Sequence, residues 1–386
     1  TQPATAVDEF FNGNEQMKEL IEAFPWLRQL FNELAVELLA SSVWGLAFRL
    51  GTGVVFGWAD LTSDGYMIYY YLVKGQYSDA FALAAMVGLN LLLQLGIVYV
   101  QNRKNSRWVI ARECLLVLTN MKAAADGYKV IRGVENNGPV DALNEMMFGK
   151  AGELAFESIP GAFWQAKVLL KSDTMTRGAK ISLCLSLLSS AYTVFMMFYD
   201  KDTDPKSRKD TPSFHGLFPA DGRRGPMSLI VFILILSHIV SKNASTVLLW
   251  CTKPFWWLVH SAIDYGILFA YKIFRKDFLY WIPMEGNGKY LVAFICRTTT
   301  KIVGDNTGHL TMRHSYELGG AYFTFNAFMI QASNFPIAYL FSEYSPFRDK
   351  ISSTTLYQFF GVLFMVWFTS YCLLFFLMDE KYRQTF

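Results

Sequence analysis

Charge is the scarcest commodity in this chain. Only 17% of its 386 residues are Asp, Glu, Lys or Arg, against about 25% in a soluble globular domain, which argues against a soluble enzyme and against a disordered protein. Cysteine is sparse too. Cys114, Cys184, Cys251, Cys296 and Cys372 form no CxxC and no cysteine–histidine ligand spacing, which excludes a disulfide-stapled scaffold and leaves them as small core residues. Enzyme signatures are missing: no GxGxxG, GxxxxGK, GxSxG or HExxH occurs, and Gly286-Asn287-Gly288-Lys289 reads only as a turn. The five histidines, His215, His238, His260, His309 and His314, never pair at HxxxH or HxxH spacing, so neither a metal nor a cofactor is expected. A net charge of +3, from 35 basic and 32 acidic residues, is too balanced for a nucleic-acid binder. Nothing near Thr1 reads as a charged and then apolar signal, so targeting is not legible.

What the chain has in abundance is apolar surface. Hydrophobic residues make up 53% and aromatics 16%, gathered into blocks of the length that crosses a bilayer as a helix, about 20 residues. Ten blocks stand out, near 40–73, 80–101, 110–130, 151–170, 179–199, 227–250, 254–274, 288–304, 319–341 and 356–378. The sequence predicts an all-α polytopic membrane protein.

Basic residues orient it. Arg103, Lys104, Arg107 and Arg112 follow the second block; Lys201, Lys206, Arg208, Lys209, Arg223 and Arg224 follow the fifth; Lys272, Arg275 and Lys276 follow the seventh. Lysine and arginine mark cytoplasmic loops, and two loops on one side must be separated by an even number of crossings. Three blocks lie between the first two basic loops, so one of them does not span. The candidates are 151–170, centred on Pro160-Gly161, and 110–130, interrupted by Asn120, Lys122 and Asp126. The block 288–304 is short and carries Arg297 and Lys301, a second poor span. About eight transmembrane helices plus two re-entrant or partly inserted helices remain. The expected organisation is an N-terminal cytosolic or interfacial segment 1–39, a first helical bundle 40–199 with one re-entrant segment, a cytosolic linker 200–226, and a second bundle 227–386 with a short C-terminal tail.

An ionisable side chain at the bilayer centre costs about 2.5–3.5 kcal/mol on insertion scales, so each one needs a reason. Asp60 and Asp64, four apart, share a helix face. Arg49 lies eleven residues earlier on nearly the same stripe, about 16 Å away. In the fourth block Glu153, Glu157, Gly161 and Gln165 repeat the four-residue spacing. Lys242, four after His238 and flanked by Ser241 and Ser245, offers these acids a buried cation. Two readings are open: internal ion pairs that fix the packing of a bundle, or a polar pathway through the membrane. The aromatic runs Phe255-Trp256-Trp257 and Phe278-Leu279-Tyr280-Trp281 read as interfacial anchors.

Several stretches carry a family likeness. Asp60-Leu-Thr-Ser-Asp64, then Tyr70-Tyr71-Leu-Val-Lys-Gly75-Gln-Tyr77, then Leu91-Leu-Leu-Gln94-Leu95 resemble the start of the XK-related membrane proteins. Glu157-Ser-Ile-Pro160 with Gln165 looks like that family's Glu-Ser-x-Pro-Gln segment, with Gly161 where glutamine is usual. Ser182-Leu-Cys-Leu-Ser-Leu-Leu-Ser189 followed by Tyr192 looks like its next helix. The matches run in family order over about residues 55–250. The resemblance implies a bundle of eight spans with two partly inserted helices, in a family of which some members scramble phospholipids between leaflets, and it favours the plasma membrane. The tail after Met378 is too short for the family's caspase-cleaved extension.

On these grounds the expected function is ATP-independent, scramblase-like movement of phospholipid headgroups along a polar stripe. Arg49, Asp60, Asp64, Glu153, Glu157, Gln165 and Lys242 line that stripe, and membrane phospholipids are the partners. The alternatives are a structural or accessory subunit of a larger membrane complex, with other membrane subunits as partners, and a solute or ion transporter using the buried acids.

Overall fold

The computed structural model describes residues 7–8, 11, 15–132, 142–172, 176–204, 217–219, 222–276, 278–279, 286, 288–294, 297–298, 301 and 320–378. Among them every regular element is helical. In chain order they are α1 (Glu15–Ala23), α2 (Trp26–Val73), α3 (Tyr77–Asn102), α4 (Arg107–Leu118), α5 (Lys122–Arg132), α6 (Ala142–Glu153), a π-helical turn (Leu154–Ser158), α7 (Ile159–Lys171), α8 (Arg177–Thr203), α9 (Arg224–Thr252), α10 (Pro254–Phe274), α11 (Gly320–Tyr344), a 3-10 turn (Arg348–Lys350) and α12 (Ser353–Leu377).

Local sequence sets the ends. Ser106, Thr176 and Ser352 cap α4, α8 and α12 by accepting the amides of Val109, Ala179 and Thr355. Pro254 opens α10, where a missing amide hydrogen is harmless. Between α2 and α3 the chain reverses through Gly75 at φ +72°, a conformation that glycine alone adopts without strain. Asn120, at φ +54°, breaks the block 110–130 into two short helices, neither of which is long enough to cross a bilayer.

Among the described residues four helices have the length and composition to cross a membrane: Tyr77–Asn102, Arg177–Asp200, Arg224–Thr252 and Ser353–Leu377. This differs from the eight expected. α10 and α11 are long enough, but polar side chains spaced along them dilute their apolar character: His260, Asp264 and Lys272 on α10, and Asn326, Gln331 and Asn334 on α11; on α2 the side chains of residues 36–47 lie outside the described residues. The block 288–304 is described at 288–294, 297–298 and 301. Two of its charged residues are placed: Arg297 donates to the Phe278 carbonyl at 3.3 Å, and Lys301 pairs with Asp264 of α10 at 3.0 Å.

The chain divides into two compact units, residues 1–55 with 94–149 and residues 56–93 with 150–386. In the second, α9 is the hub, packing on α7, α8, α10, α11 and α12. Half of its apolar stretch is buried, as is half of α8, against 17% for α3 and 22% for α12, so the first two are inner helices and the last two present most of their surface outward. Val231, Leu234, Ile235 and Ile239 of α9 meet Val194, Met196 and Phe198 of α8 and Trp367 of α12 in the largest apolar cluster. A separate cluster joins Met67 and Tyr71 of α2 to Ala80 and Leu83 of α3 and Val168 of α7.

The first unit holds a compensated ionic cluster. Lys122 Nζ lies 3.0 Å from Glu113, 2.6 Å from Asp126 and 2.8 Å from Glu145, tying α4, α5 and α6 together. Lys129 adds contacts of 3.3 Å to Glu113 and to Asp126, and Arg112 one of 2.9 Å to Glu113. Three acids face three bases. Burial alone would raise the Glu113 carboxyl, but hydrogen bonds from Arg112 and Lys122 and the charges of Lys122 and Lys129 outweigh it and hold the group at about 2.

Candidate functional site

The second unit contains the opposite arrangement. Asp60 and Asp64 on α2 are buried, 4% and 1% exposed, and they face the segment that carries Glu153 and Glu157. Gln165 Nε2 donates to Asp64 Oδ1 at 2.7 Å while its Oε1 accepts from Ser182 Oγ at 3.0 Å, so one amide links α2, α7 and α8. Ser182 Oγ lies 2.6 Å from Ser63 Oγ, which extends the chain of bonds back to α2. Asn90 of α3 donates to Glu157 Oε2. Ser158 and Ser186 face Asp60. Amides and hydroxyls thus meet Asp60, Asp64 and Glu157, and among the described residues no lysine or arginine forms a salt bridge with Asp60, Asp64, Glu153 or Glu157. Lys150, at the start of the row, acts on Glu153 and Asp200 through the field only.

The π turn positions these acids. Ile159 N–H bonds to the Leu154 carbonyl, five residues back. Pro160 brings no amide hydrogen to the ladder and leaves the Phe156 carbonyl without the donor four residues on, and the turn before it widens. The expectation placed a bend or stop at Pro160-Gly161. Instead the irregularity precedes the proline, the helix starts at Ala142 rather than near Glu153, and it continues past Gly161 to Lys171. Gly161 is no steric requirement: a Cβ there would meet Leu83 Cδ1 at 3.6 Å, an ordinary contact.

Of the other expected stripe residues, Arg49 belongs to the first unit, where it is half-buried. Lys242 is half-buried on α9, and its carbonyl accepts from Ser245 and Thr246. Lys150 acts on Glu153.

Sequence reasoning passed over Asn90, Ser158, Ser182, Ser186 and Lys150. Asn90 had a signal, as an amide inside the apolar run Leu89 to Leu93. The serines had none, because a hydroxyl in an apolar helix is unremarkable until a partner helix is known. A further buried network was also passed over. Ser241 Oγ donates to Gln331 Oε1 at 2.9 Å, Asn334 Nδ2 donates to Ser241 Oγ at 2.5 Å, and Gln331 Nε2 lies 3.1 Å from His238 Nδ1. With Oε1 taken by Ser241, Nε2 is the donor to His238. This network fastens α9 to α11 and is interhelical glue. Among the described residues no group of His, Cys, Asp and Glu is arranged to hold a metal ion.

Compared with known proteins, the chain matches no family model and no curated protein.

Proposed function

We propose that the chain is an ATP-independent, scramblase-like membrane protein of XK-related type, with about eight crossings, in which lipid headgroups move along a polar row in the second unit. The observation that carries this reading is the contrast between its two buried acidic clusters. In the first unit each carboxylate has a lysine or arginine within 3.4 Å, the signature of a structural tie. In the second, Asp60, Asp64 and Glu157 are met by neutral donors and keep an appetite for a positive charge, which the choline or ethanolamine amine of a headgroup supplies.

The segment has the right reach. From Lys150 to Lys171, 21 residues at 1.5 Å rise cover about 31 Å, the thickness of the hydrocarbon core; Glu153, Glu157 and Gln165 follow one face, and Lys167, two residues past Gln165, lies on another. Acids in the middle and lysines at the ends suit a zwitterion that carries an amine and a phosphate past a low-dielectric barrier. The family resemblance of residues 55–250 supports the same reading. A transporter would draw on discontinuous helices at mid-membrane, and the helical path through residues 142–171, widened at one turn but not interrupted by a loop, weighs against that alternative.

Dithionite quenching of fluorescent lipids in proteoliposomes tests the proposal. The purified chain should expose inner-leaflet lipid without ATP, and D64N and E157Q should slow it at least tenfold. Lipid exchange no faster than in empty liposomes ends this reading.

A further inference from the structure

At the end of the row away from Lys150, the α2–α3 turn and the last turns of α7 enclose a cavity of about 230 Å³, lined by Gln76, Asp79, Lys167, Val168, Lys171 and Ser172. That is below the roughly 300–1,000 Å³ of pockets for drug-sized molecules, and it suits something the size of a headgroup. Trp164 organises the wall: its Nε1–H donates to Asp79 Oδ1 at 3.1 Å, and Lys167 Nζ sits 3.0 Å from the centre of its ring. One indole therefore holds a negative group at its edge and a positive group at its face.

Lys167 is the informative residue. It is only 7% exposed, yet it makes no hydrogen bond and no ion pair among the described residues. The ring face offsets part of the cost of burying an ammonium, but it satisfies none of the three N–H donors. Lys171, one turn on and exposed, presents a second ammonium to the same cavity. Like charges four apart on a helix repel, and Asp79, across the cavity, acts on Lys167 without forming an ion pair with either lysine among the described residues. An anion bridging both would relieve the repulsion. Lys350 adds positive charge at this end, donating to the Lys171 and Ser172 carbonyls at 2.7 and 3.0 Å. On the other wall Asp79 has one oxygen engaged by Trp164 and is free to take an amine through the other.

We infer that this cavity binds a phosphoester bearing a terminal amine, with the phosphate on Lys167 and Lys171 and the amine on Asp79. Such a group belongs to an aminophospholipid or to a soluble phosphoester, and the lipid is the source chosen here. That choice rests on the headgroup pathway proposed above, for which the cavity is the docking point at one end. Tyr69, Tyr70 and Tyr77, around the same turn, are the aromatic company expected at the headgroup level.

The test uses the full chain purified in phosphate-free maltoside micelles. Calorimetry follows glycerophosphoethanolamine, inorganic phosphate and glycerol, and native mass spectrometry compares phosphatidylethanolamine with diacylglycerol. Glycerophosphoethanolamine should bind more tightly than inorganic phosphate, glycerol should not bind, and phosphatidylethanolamine should be retained in preference to diacylglycerol. K167M should weaken binding at least tenfold, K167R should restore most of it, and D79N should abolish the preference over inorganic phosphate. K171Q, at an exposed position, should weaken binding about threefold with an unchanged melting temperature, which separates loss of the site from loss of fold. Equal binding of phosphate and glycerophosphoethanolamine with no effect of D79N overturns the assignment, and so does absence of binding. Equal retention of diacylglycerol overturns the lipid source. Binding as described in a protein that does not scramble leaves the cavity standing and removes the pathway; scrambling without binding does the reverse.

Discussion

Gln165 is the residue through which the candidate site is most directly tested. Its amide makes two interhelical bonds, one to Asp64 at 2.7 Å and one from Ser182 at 3.0 Å. Interhelical hydrogen bonds in membrane bundles contribute about 0.6 kcal/mol on average and up to about 1.7, so replacing Gln165 by the near-isosteric leucine should cost about 1–3 kcal/mol for the pair. The loss should be shared with its partner. In a double-mutant cycle of Q165L with D64A, measured as unfolding in mixed micelles and read by labelling of the buried Cys251, the coupling should equal one bond, about 0.6–1.7 kcal/mol. D64N, which keeps an oxygen for the amide to donate to, should cost far less stability than D64A while still slowing lipid movement. Additivity of Q165L and D64A within about 0.3 kcal/mol would refute the bridge, and a D64N protein as active as the wild type would remove the carboxylate from the mechanism.

The remaining predictions concern the rest of the molecule. Glu113 is held at about 2 against an ordinary 4.5, so the stability it lends α4–α6 is complete above 4.5 and is lost as pH falls from there through 2; amide protection factors in these helices should drop across that window in the wild type and not in E113Q, and flat protection down to pH 2 contradicts the assignment. K122M leaves three buried carboxylates without their shared cation and should destabilise the first unit by about 3–5 kcal/mol, a loss that thermal melts will register and that a surface-like change under 1 kcal/mol would disprove. A Cβ added at Gly152 would lie 2.6 Å from Leu93 Cδ2, so G152V should cost about 1–3 kcal/mol through overpacking, and an unchanged melting temperature would show that the second unit yields there. Cysteines placed at K104C, R208C and K276C should label from one side of the membrane only; reagent reaching any of them from the opposite side defeats the parity of crossings.

Composition and block length made the helical, membrane-type character of the chain legible, because both are sums over many residues and survive ignorance of tertiary contacts. The number of crossings was less legible. Side chains such as Asp264 of α10 and Gln331 of α11 lower hydropathy for reasons that lie in a partner helix, Lys301 in one case and Ser241 in the other, and no single-helix reading can see a partner. The four-residue spacing of Asp60 with Asp64, and of Glu153 with Glu157, was visible in one dimension, and the fold sets those two pairs face to face. The cation beside them was not foreseen, since the choice between Lys150 and Lys242 depends on which helices pack together. The break was foreseen at the proline and found one turn earlier, because a missing donor is felt by the residues it would have paired with, upstream of the ring itself.

That widened turn also sets the phase of the acids along the helix. A π turn takes up one residue more than an α turn over the same stretch of axis, so it works as a phase shifter between α6 and α7. Rewinding Leu154–Ser158 as ordinary α-helix, with no residue removed, would give the backbone more regular hydrogen bonding there. Everything before the turn would rotate by roughly 100° about the axis relative to everything after it. Glu153 would swing out of line with Gln165, and one polar face would become two half-faces turned toward different neighbours. A helix more regular than the native one would thus be the defective form.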